Sequence, residues 1–511
     1  MKVVLISVDE SKNGVGVRTL SACLREAGFE THIVFMATLD DCFAGFHWED
    51  LIAICQDAGL FGISCMTLAV RMAVEVKKRL EEKLDIPVIA GGIHASMDPE
   101  SLLSHFAYIC HGEGEDLIVE FARRLQNHAS VADIPGLWGH AGGERICNPA
   151  VPLRRDINQY PLPDYDLAHQ HILEADRLVQ ARPVPGHISI DNFVVLGSRG
   201  CPHKCAYCCN SRIKECFPWR RKVFQYSVDS LIRHMAAIRR IFPEVRSFWI
   251  EDDTFFAKDL SEIGIFAQRY RAEIAMPFMI LISPWTYDRD KLEVLIDAGL
   301  TSLIMGIQSG SERINRELYH RHMTNEKLLD IANSLSMYEN MLPCYDFIGM
   351  NPFEHRPDLI DTIRFMRRLP APCRIFNNSL AFYPGTELHS RAINSSMDIS
   401  LRVKHTDASV GYDIMIFEPL PHKVFHLLLL MMGGTVTPFQ IGRVPRVLVT
   451  DRMIRIYTMA DEHFPRVCNA AAFLVAAMCR LMNWRKVVKR LLPTKAIVLF
   501  RRFFFHLRKV I

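Results

Sequence analysis

Apolar runs and helical patterns alternate over the first 130 residues of the chain. Four runs have the β-branched, apolar character of buried strands: "KVVLISVD", "THIVFM", "GLFGISCM" and "IPVIAGG". Between them apolar positions recur at helical spacing, as in residues 14–28 and 68–84. Strands that alternate with helices predict a parallel sheet covered on both faces, and ligands of such sheets bind at the carboxyl ends of the strands.

Small and hydroxyl-bearing residues follow three of the predicted strands. "SCMT" (64–67), "GGIHAS" (91–96) and "HGEGE" (111–115) come directly after apolar runs. Glycines leave room for a ligand near the backbone and hydroxyls donate hydrogen bonds, although glycine-rich turns also end strands without any ligand. The candidate ligand contacts are Ser64, Thr67, Gly91, Gly92, His94, Ser96, Gly112 and Glu113.

Residues 131–190 have a different composition, with a proline every few positions in "DIPGLWGH", "INQYPLPDYDLAH" and "ARPVPG". Prolines interrupt helices and sheet pairing, so this segment is predicted to be a linker that wraps the surface between two domains.

Strand and helix patterns resume after the linker. Six runs have the strand pattern: "NFVVLGS", "VRSFWIEDD", "FMILIS", "TSLIMGIQS", "PCYDFIGM" and "FNNSLAF". Six strands that are each followed by a helical pattern predict a partial β/α barrel over residues 191–400, with its site at the carboxyl ends of the strands.

Composition adds the size class and the compartment. At 511 residues, with 49% apolar and 23% charged residues, the chain has the length and balance of two or three globular domains. It carries 15 cysteines and no signal-like segment at its start, so we expect reduced thiols in the cytoplasm, where a tight cysteine cluster indicates a metal or redox site. The net charge of +3 gives no argument for nucleic acid binding.

The cysteine cluster lies in "SRGCPHKCAYCCN" (198–210), where Cys201, Cys205 and Cys208 have the spacing Cys-x-x-x-Cys-x-x-Cys and Cys209 follows directly. A structural zinc site would need Cys209 or His203 as a fourth ligand, and adjacent cysteines diverge. Buried apolar cysteines are not expected in so polar a loop. The third interpretation is an iron–sulfur cluster held by three cysteines, which leaves one iron open to bind a substrate or cofactor.

Cys-x-x-x-Cys-x-aromatic-Cys after the first barrel strand, with Tyr207 as the aromatic residue, resembles the radical SAM superfamily. The resemblance implies a 4Fe–4S cluster on Cys201, Cys205 and Cys208, whose open iron binds S-adenosylmethionine (SAM). An electron from the cluster then cleaves SAM to a 5′-deoxyadenosyl radical. The resemblance also implies an external electron donor such as flavodoxin or ferredoxin.

The same resemblance places further residues around SAM. Two acids after a barrel strand stand where the family binds the SAM amine, although strand-end acids also cap helices. "GIQSGS" (306–311) resembles the segment beside the methionine and ribose, and two arginines are candidates for the SAM carboxylate, although either is also typical of a solvated helix. The SAM candidates are Tyr207, Asp252, Asp253, Gln308, Ser309, Arg316 and Arg321.

Residues 1–130 resemble the cobalamin-binding domain that precedes many radical SAM enzymes. In that family the strand-end loops embrace the corrin and its nucleotide tail. The Asp-x-His-x-x-Gly signature, whose His ligates cobalt in the mutases, is absent from these loops. We therefore assign no histidine to cobalt and expect a structural or tail-contacting role for His94.

Most cobalamin-dependent radical SAM enzymes methylate an unactivated carbon through the deoxyadenosyl radical and methylcobalamin, and the resemblance implies this reaction on a small-molecule or lipid-like substrate. A radical SAM oxidative cyclase or rearrangement enzyme of the anaerobic porphyrin cyclase type is the alternative. A non-catalytic cobalamin- or metal-binding sensor is an alternative of another class.

Residues 401–511 are predicted to form a mainly helical region with a basic end. From Arg480 onward there are ten Lys or Arg residues and no Asp or Glu, interleaved with Trp484 and four phenylalanines. Such a surface is typical of a contact with anionic lipid, and a helical lid packed on the barrel is the alternative. We therefore expect a cytoplasmic protein that is peripheral to the inner face of the membrane. The predicted fold class is α/β: a doubly wound parallel-sheet domain, a partial (β/α)6 barrel and this helical region.

Overall fold

The computed structural model describes residues 1–9, 14–36, 45–141, 143–184, 187, 190–397 and 420–476. Two nine-stranded sheets and one short hairpin organise these residues. The strands of the first sheet are β1 (Lys2–Ser7), β2 (Glu30–Phe35), β3 (Ala58–Ser64), β4 (Val88–Gly91), β5 (Tyr108–Cys110), β6 (Leu137–Ala141), β7 (Glu144–Cys147), β8 (Gln170–Glu174) and β9 (Arg177–Gln180).

The strands of the second sheet are β10 (Phe193–Val195), β13 (Phe248–Ile250), β14 (Phe278–Ile282), β15 (Leu300–Gln308), β16 (Leu342–Gly349), β17 (Cys373–Ser379), β18 (Gly434–Val436), β19 (Gln440–Ile441) and β20 (Val444–Pro445), and the hairpin consists of β11 (Ser198–Arg199) and β12 (Phe224–Gln225). The helices are α1 (Val15–Glu26), α2 (Trp48–Cys55), α3 (Val70–Glu81), α4 (Ile93–Met97), α5 (Pro99–Leu103), α6 (Glu115–Gln126), α7 (Cys209–Cys216), α8 (Val228–Ile241), α9 (Leu260–Glu273), α10 (Arg289–Ala298), α11 (Asn325–Leu335), α12 (Arg356–Arg368), α13 (Glu387–Asn394), α14 (Lys423–Met432) and α15 (Asp451–His463).

Five parallel strands form the centre of the first sheet, in the order β2-β1-β3-β4-β5. Side chains alternate between the two faces of β1, so Val3 and Leu5 pack with α1 and α6, whereas Val4 and Ile6 pack with α2 and α3. Burial on both faces explains the continuous apolar run at the start of the chain. The predicted doubly wound sheet is confirmed, and its carboxyl edge ends at the glycine and hydroxyl segments.

Residues 131–190 differ from the predicted linker because they add strands to both edges of this sheet. β6 and β7 extend the edge at β5, while β8 and β9 extend the edge at β2. The prolines between β7 and β8, at positions 149, 152, 161 and 163, lie outside the strands and so interrupt no ladder. The irregular run that carries them passes from one edge of the sheet to the other.

Six parallel strands form an open barrel in the order β10-β13-β14-β15-β16-β17, as the sequence predicted. Outward side chains such as Ile250, Ile280 and Tyr345 pack under α8 to α12 in one large core. Because all six strands run in the same direction, the loops after them meet at one rim.

The C-terminal region joins the barrel sheet as well as covering it. The short antiparallel strands β18 to β20 continue the sheet beyond β17 and were not predicted, because two or three residues are too few to show an alternating pattern. Phe425 and Leu429 of α14 are buried in the barrel core. No helix in the described part of the chain has the length and apolarity needed to cross a bilayer. The predicted basic tail from Arg480 onward lies outside the described residues.

The two domains meet at α7, the helix that directly follows the cysteine cluster. Ile213 and Phe217 pack in an apolar cluster with Met97 of α4. The ring of His111, which follows β5, lies 4.9 Å from the ring of Phe217. The N-terminal domain therefore supports one side of the cysteine loop.

Candidate active site

The cysteine loop begins after β10 and ends where α7 starts. Gly200 has a φ of +99°, a conformation that L side chains rarely adopt, and turns the chain into Cys201. The N–H of Cys208 donates to the carbonyl of Cys205 at 3.1 Å. Cys205 is buried, whereas Cys201 and Cys208 are half-buried. The three predicted cluster cysteines thus share one compact turn at the rim of the barrel.

Basic side chains lie beside this turn. Arg321 Nη1 donates to Cys205 Sγ at 3.5 Å, and Lys214, which is close to all three thiols, donates to the carbonyl of His203. Burial raises the pKa of the Cys201 thiol to about 12, so this cysteine needs a cation to become a thiolate ligand. Cluster iron would supply that charge, and the donor set therefore fits an iron–sulfur cluster.

Cys209 and Tyr207 support the turn. Cys209 begins α7, and a hydrogen bond from its thiol lowers the pKa of Cys208. Its side chain packs on the interdomain cluster that contains Phe217. The Tyr207 ring packs edge-to-face on Tyr319, with ring centroids 5.0 Å apart. Both residues are therefore neighbours that shape the loop.

The structure separates the two candidate arginines. Arg316 is exposed and pairs with Glu317 at 3.2 Å. Arg321 is buried, donates to the Gly306 carbonyl at 2.6 Å and lies 4.8 Å above the ring of Trp285. Of the two, only Arg321 is brought to the cysteine loop.

The two candidate acids also have different surroundings. Asp252 is buried and accepts the N–H of Gly197 at 2.6 Å, which fixes the chain after β10. Burial raises the pKa of its carboxyl. Asp253 is exposed and accepts a hydrogen bond from Asn210 Nδ2 at 2.8 Å, directly after the cysteine turn. Asp253 is therefore the carboxylate that is accessible to an incoming amine.

Gln308 is the last residue of β15, Ser309 follows it, and the two side chains have different neighbours. Gln308 has a φ of +71°, a backbone conformation that is strained for a residue other than glycine. Its side-chain amide lies close to Gly306, because a Cβ on Gly306 would be 2.4 Å from Gln308 Nε2. Ser309 is buried, and its hydroxyl is 3.1 Å from that of Thr362 in α12. Ser309 thus supports the helix, and Gln308 is the one of the pair left at the rim.

A cavity with about 1200 Å³ of empty space lies at the carboxyl edge of the first sheet and is also lined by barrel residues. The cavity is open to solvent, and a Cβ on Gly16, which lines it, would meet no protein atom within 4 Å. A ligand therefore has room directly against the backbone here. The predicted contacts that line the cavity are Ser64, Gly91, Gly92, Ser96, Gly112 and Glu113.

Two predicted contacts, Thr67 and His94, are not brought to this cavity. Both are buried, and the two ring nitrogens of His94 lie 3.1 Å from Thr67 Oγ1 and 3.0 Å from Ser101 Oγ. Burial lowers the pKa of His94. The ring links two segments of the N-terminal domain, and the described residues that line the cavity include no histidine.

Three charged residues at the cavity were missed from the sequence: Glu115, Arg199 and Arg220. Arg199 pairs with Glu115 at 2.6 Å and with Glu113 at 3.4 Å, and Arg220 pairs with Glu113 at 3.0 Å. Burial raises the pKa of Glu113. No sequence pattern relates residues so far apart along the chain.

Asp346 was also missed, although its signal is visible as the single acid in "PCYDFIGM". Its neighbours Tyr345 and Phe347 pack in the outer core, so Asp346 faces the barrel interior. It is in register with Gly306 of β15, and burial raises its pKa to about 6.

Comparison with known proteins gives both domains a family. The family model of the B12 binding domain matches residues 1–122, and that of the Radical SAM superfamily matches residues 195–366. The chain belongs to the cobalamin-dependent radical SAM enzymes. The cofactors of this cobalamin-dependent radical SAM enzyme are a 4Fe–4S cluster, SAM and cobalamin.

Curated relatives of the enzyme include two methyltransferases. An uncharacterized methyltransferase of Pyrococcus horikoshii is 24% identical over 351 residues, which are 68% of this chain and 72% of the relative. Cytidylyl-2-hydroxyethylphosphonate methyltransferase of Streptomyces wedmorensis is 21% identical over 382 residues, 66% of this chain and 69% of the relative. The anaerobic magnesium-protoporphyrin IX monomethyl ester cyclase of Synechocystis matches only 31% of this chain and 30% of its own, at 24% identity.

A solved structure shares the architecture of the enzyme. The radical SAM methyltransferase TsrM of Kitasatospora setae, solved with tryptophan and a SAM analogue, superposes with a TM-score of 0.61. The likeness covers 77% of this chain and 76% of that one at 16% identity, and it therefore shows a common fold.

Proposed function

We propose that this enzyme methylates an unactivated carbon of a small-molecule or lipid-like substrate. The observation that carries the proposal is that one cavity is lined from both domains. Gly91 and Gly92 border it from the N-terminal sheet, and Ile213 and Phe217 border it from the segment after the cluster cysteines. A methyl carrier in this cavity would face the barrel rim where SAM is cleaved.

When bound, the cluster and SAM supply a hydrogen-abstracting radical, and cobalamin supplies the methyl carrier. The chain's own residues hold and orient these groups. Cys201, Cys205 and Cys208 would hold the cluster, and Asp253 and Arg321 would bind the amine and carboxylate of SAM, because they are a carboxylate and a cation beside the same turn. Substrate would enter the barrel beside the inward-facing Asp346.

Product analysis tests the reaction type. The protein, reconstituted anaerobically with iron, sulfide and hydroxocobalamin, is incubated with SAM and a chemical reductant. A methyltransferase is expected to form S-adenosylhomocysteine in stoichiometric amount with bound cobalamin, together with 5′-deoxyadenosine. 5′-Deoxyadenosine alone supports the cyclase or rearrangement alternative, to which the cyclase relative points. If neither product forms although both cofactors bind, the chain is a sensor.

We infer that an acidic electron-transfer protein such as flavodoxin or ferredoxin reduces the cluster beside Lys204. An open depression of about 900 Å³ is lined by His203, Lys204, Trp285, His320 and His322. Two of these residues lie between Cys201 and Cys205, so a bound donor would be close to the cluster. Electrostatic steering suits such transient complexes.

Lys204→Glu is expected to slow reduction by flavodoxin and to weaken its salt dependence, while reduction by dithionite is unchanged. Lys83→Glu, an exposed change of the same charge after α3, is the control. Equal effects of the two substitutions would reject this docking surface.

We also propose that the protein is cytoplasmic and binds reversibly to anionic membranes through its C-terminal region. Large apolar side chains are exposed there: Phe439, Phe464, Val467 and Leu474 are at least 60% exposed. They precede the ten basic residues of the tail, each of which contributes roughly 1 kcal/mol near anionic lipid.

Deletion of residues 485–511 is expected to weaken sedimentation with phosphatidylserine vesicles at low salt without abolishing SAM cleavage. Vesicles of phosphatidylcholine alone are the control. If the full-length chain ignores anionic vesicles, or the deletion unfolds it, the region is a packed lid and the membrane proposal fails.

A further inference from the structure

Four charged side chains bridge the two domains at the edge of the cavity. Glu113 and Glu115 lie in and after the turn that follows β5, while Arg199 and Arg220 belong to the barrel side. Arg199 reaches both glutamates, and Arg220 reaches Glu113 at 3.0 Å. Each of the four side chains is less than a fifth exposed. These four residues are called the bridging cluster below.

The bridging cluster is attached directly to the cysteine loop. Arg199 is the second residue of β11 and lies two residues before Cys201, and its Nη2 donates to the hydroxyl of Tyr226 at 3.2 Å. On the other side of the cysteines, α7 packs on the N-terminal domain through Ile213. The loop that carries the three cysteines of the iron–sulfur site is thus fixed to the N-terminal domain at both of its ends.

The bridging cluster also borders the space that cobalamin would fill. Glu113 stands between Gly112 and Gly114, and all three line the cavity. A Cβ on Gly112 would lie 3.6 Å from the Phe217 ring of the barrel side, so the turn is packed between the domains. A ligand that presses on this turn therefore acts on both glutamates and, through them, on Arg199.

We propose that Arg199 is a positioning residue that couples occupation of the cobalamin cavity to the placement of the cysteine loop, and so to SAM binding. A buried cation without its partner is costly, so Arg199 must follow the glutamates rather than move alone. The inference requires only the two cofactor sites and holds whether the reaction is methylation or cyclisation.

The test measures SAM affinity by equilibrium dialysis in the protein that carries its oxidised iron–sulfur cluster, with and without hydroxocobalamin. In the wild type we expect hydroxocobalamin to tighten SAM binding about fivefold, the lower end of ordinary coupling between sites. By linkage, SAM must tighten hydroxocobalamin binding by the same factor, which a spectral titration checks independently.

Arg199→Gln and Glu115→Gln should each abolish the tightening of SAM binding by hydroxocobalamin. Iron content and the binding of each cofactor alone should persist in both variants. The exchange Glu115→Arg with Arg199→Glu should restore part of this tightening, which a loss of folding in the single variants would not allow. Arg177→Gln removes the same charge from an exposed pair with Asp50 that does not line the cavity, and it should leave the coupling intact.

Coupling that survives in Arg199→Gln, or a wild type without coupling, overturns the proposal. If Arg199→Gln does not retain its iron–sulfur cluster, the coupling is measured in Arg220→Gln instead. That substitution removes one ion pair with Glu113 and leaves Arg199 in place. Unchanged coupling in that variant would then count against the bridging cluster. None of these outcomes depends on formation of S-adenosylhomocysteine, so this proposal and the proposed function fail separately.

Discussion

Arg321 donates to Cys205 Sγ at 3.5 Å through one guanidinium nitrogen and to the Gly306 carbonyl at 2.6 Å through the other. A single buried cation therefore joins the cysteine loop to β15. Its guanidinium also packs on Trp285, so its position is fixed before any ligand arrives. A pre-positioned cation beside the cluster suits a carboxylate ligand.

Arg321→Met should weaken SAM binding to the reduced cluster by at least about tenfold, equivalent to about 1.4 kcal/mol, because it removes the cation beside Cys205. The SAM-dependent EPR change measures this affinity. Arg316→Met is the matched control, since that arginine pairs with Glu317 in solvent. Equal losses in the two variants would contradict the assignment of the SAM carboxylate to Arg321.

The cysteine positions give a second prediction. Cys201→Ala, Cys205→Ala and Cys208→Ala should each abolish the iron–sulfur absorption and all SAM cleavage, because three ligands hold the cluster and the fourth iron stays open. Cys209→Ala should leave both largely intact, because Cys209 begins α7 and its side chain packs on the apolar cluster between the domains. Loss of the cluster in Cys209→Ala as complete as in Cys205→Ala would favour a four-cysteine site.

The strands could be predicted where the apolar pattern within a short segment is enough to identify them. The apolar runs of β1, β3 and β4 and the six barrel strands were found from periodicity, because burial on both faces leaves a continuous signal. The strands within residues 131–190 were not, since frequent prolines masked short segments whose pairing depends on distant edges of the sheet.

The site residues likewise fall into those that a local motif identifies and those that only tertiary contacts identify. The cysteine triad and the glycine turns are local motifs, and the structure gathers them. Arg316 and Arg321 look alike in sequence, and only tertiary contacts separate them, because Arg321 is buried on Trp285 and bonded to Cys205 whereas Arg316 is exposed. Ser309 carries a hydroxyl in the segment predicted to contact SAM, yet that hydroxyl is hydrogen-bonded to Thr362 of α12. The pairing of Arg199 with Glu115 exists only because two domains meet.

A third prediction concerns cobalt. The protein should bind cobalamin with its dimethylbenzimidazole displaced and without a protein histidine in its place, because His94 is bonded to Thr67 and Ser101. The absorption spectrum and the EPR hyperfine splitting of the cob(II)alamin form report a nitrogen below cobalt. His94→Ala should leave both unchanged even if it lowers stability. A nitrogen splitting that disappears in His94→Ala would show that this histidine moves to the metal.

The last prediction concerns acid stability and rests on His234, which is buried in α8 with its Nε2 3.0 Å from the hydroxyl of Tyr165. Burial lowers the pKa of His234 from 6.5 to about 4. Between these values the unfolded chain binds the proton and the folded chain does not, so stability is full above pH 6.5 and falls as the pH drops towards 4.

At about 1.4 kcal/mol for each pH unit, this histidine alone accounts for a loss of at most about 3 kcal/mol. Urea unfolding of the protein between pH 7 and pH 4 measures the slope. His234→Gln keeps a polar partner for Tyr165 but cannot titrate, so its stability should depend less on pH even if it is lower at pH 7. His140→Gln, at an exposed position, is the control and should retain the wild-type slope. An unchanged slope in His234→Gln would mean that half-buried histidines, such as His111 and His203, whose pKa values partial burial lowers to about 4, carry the acid response.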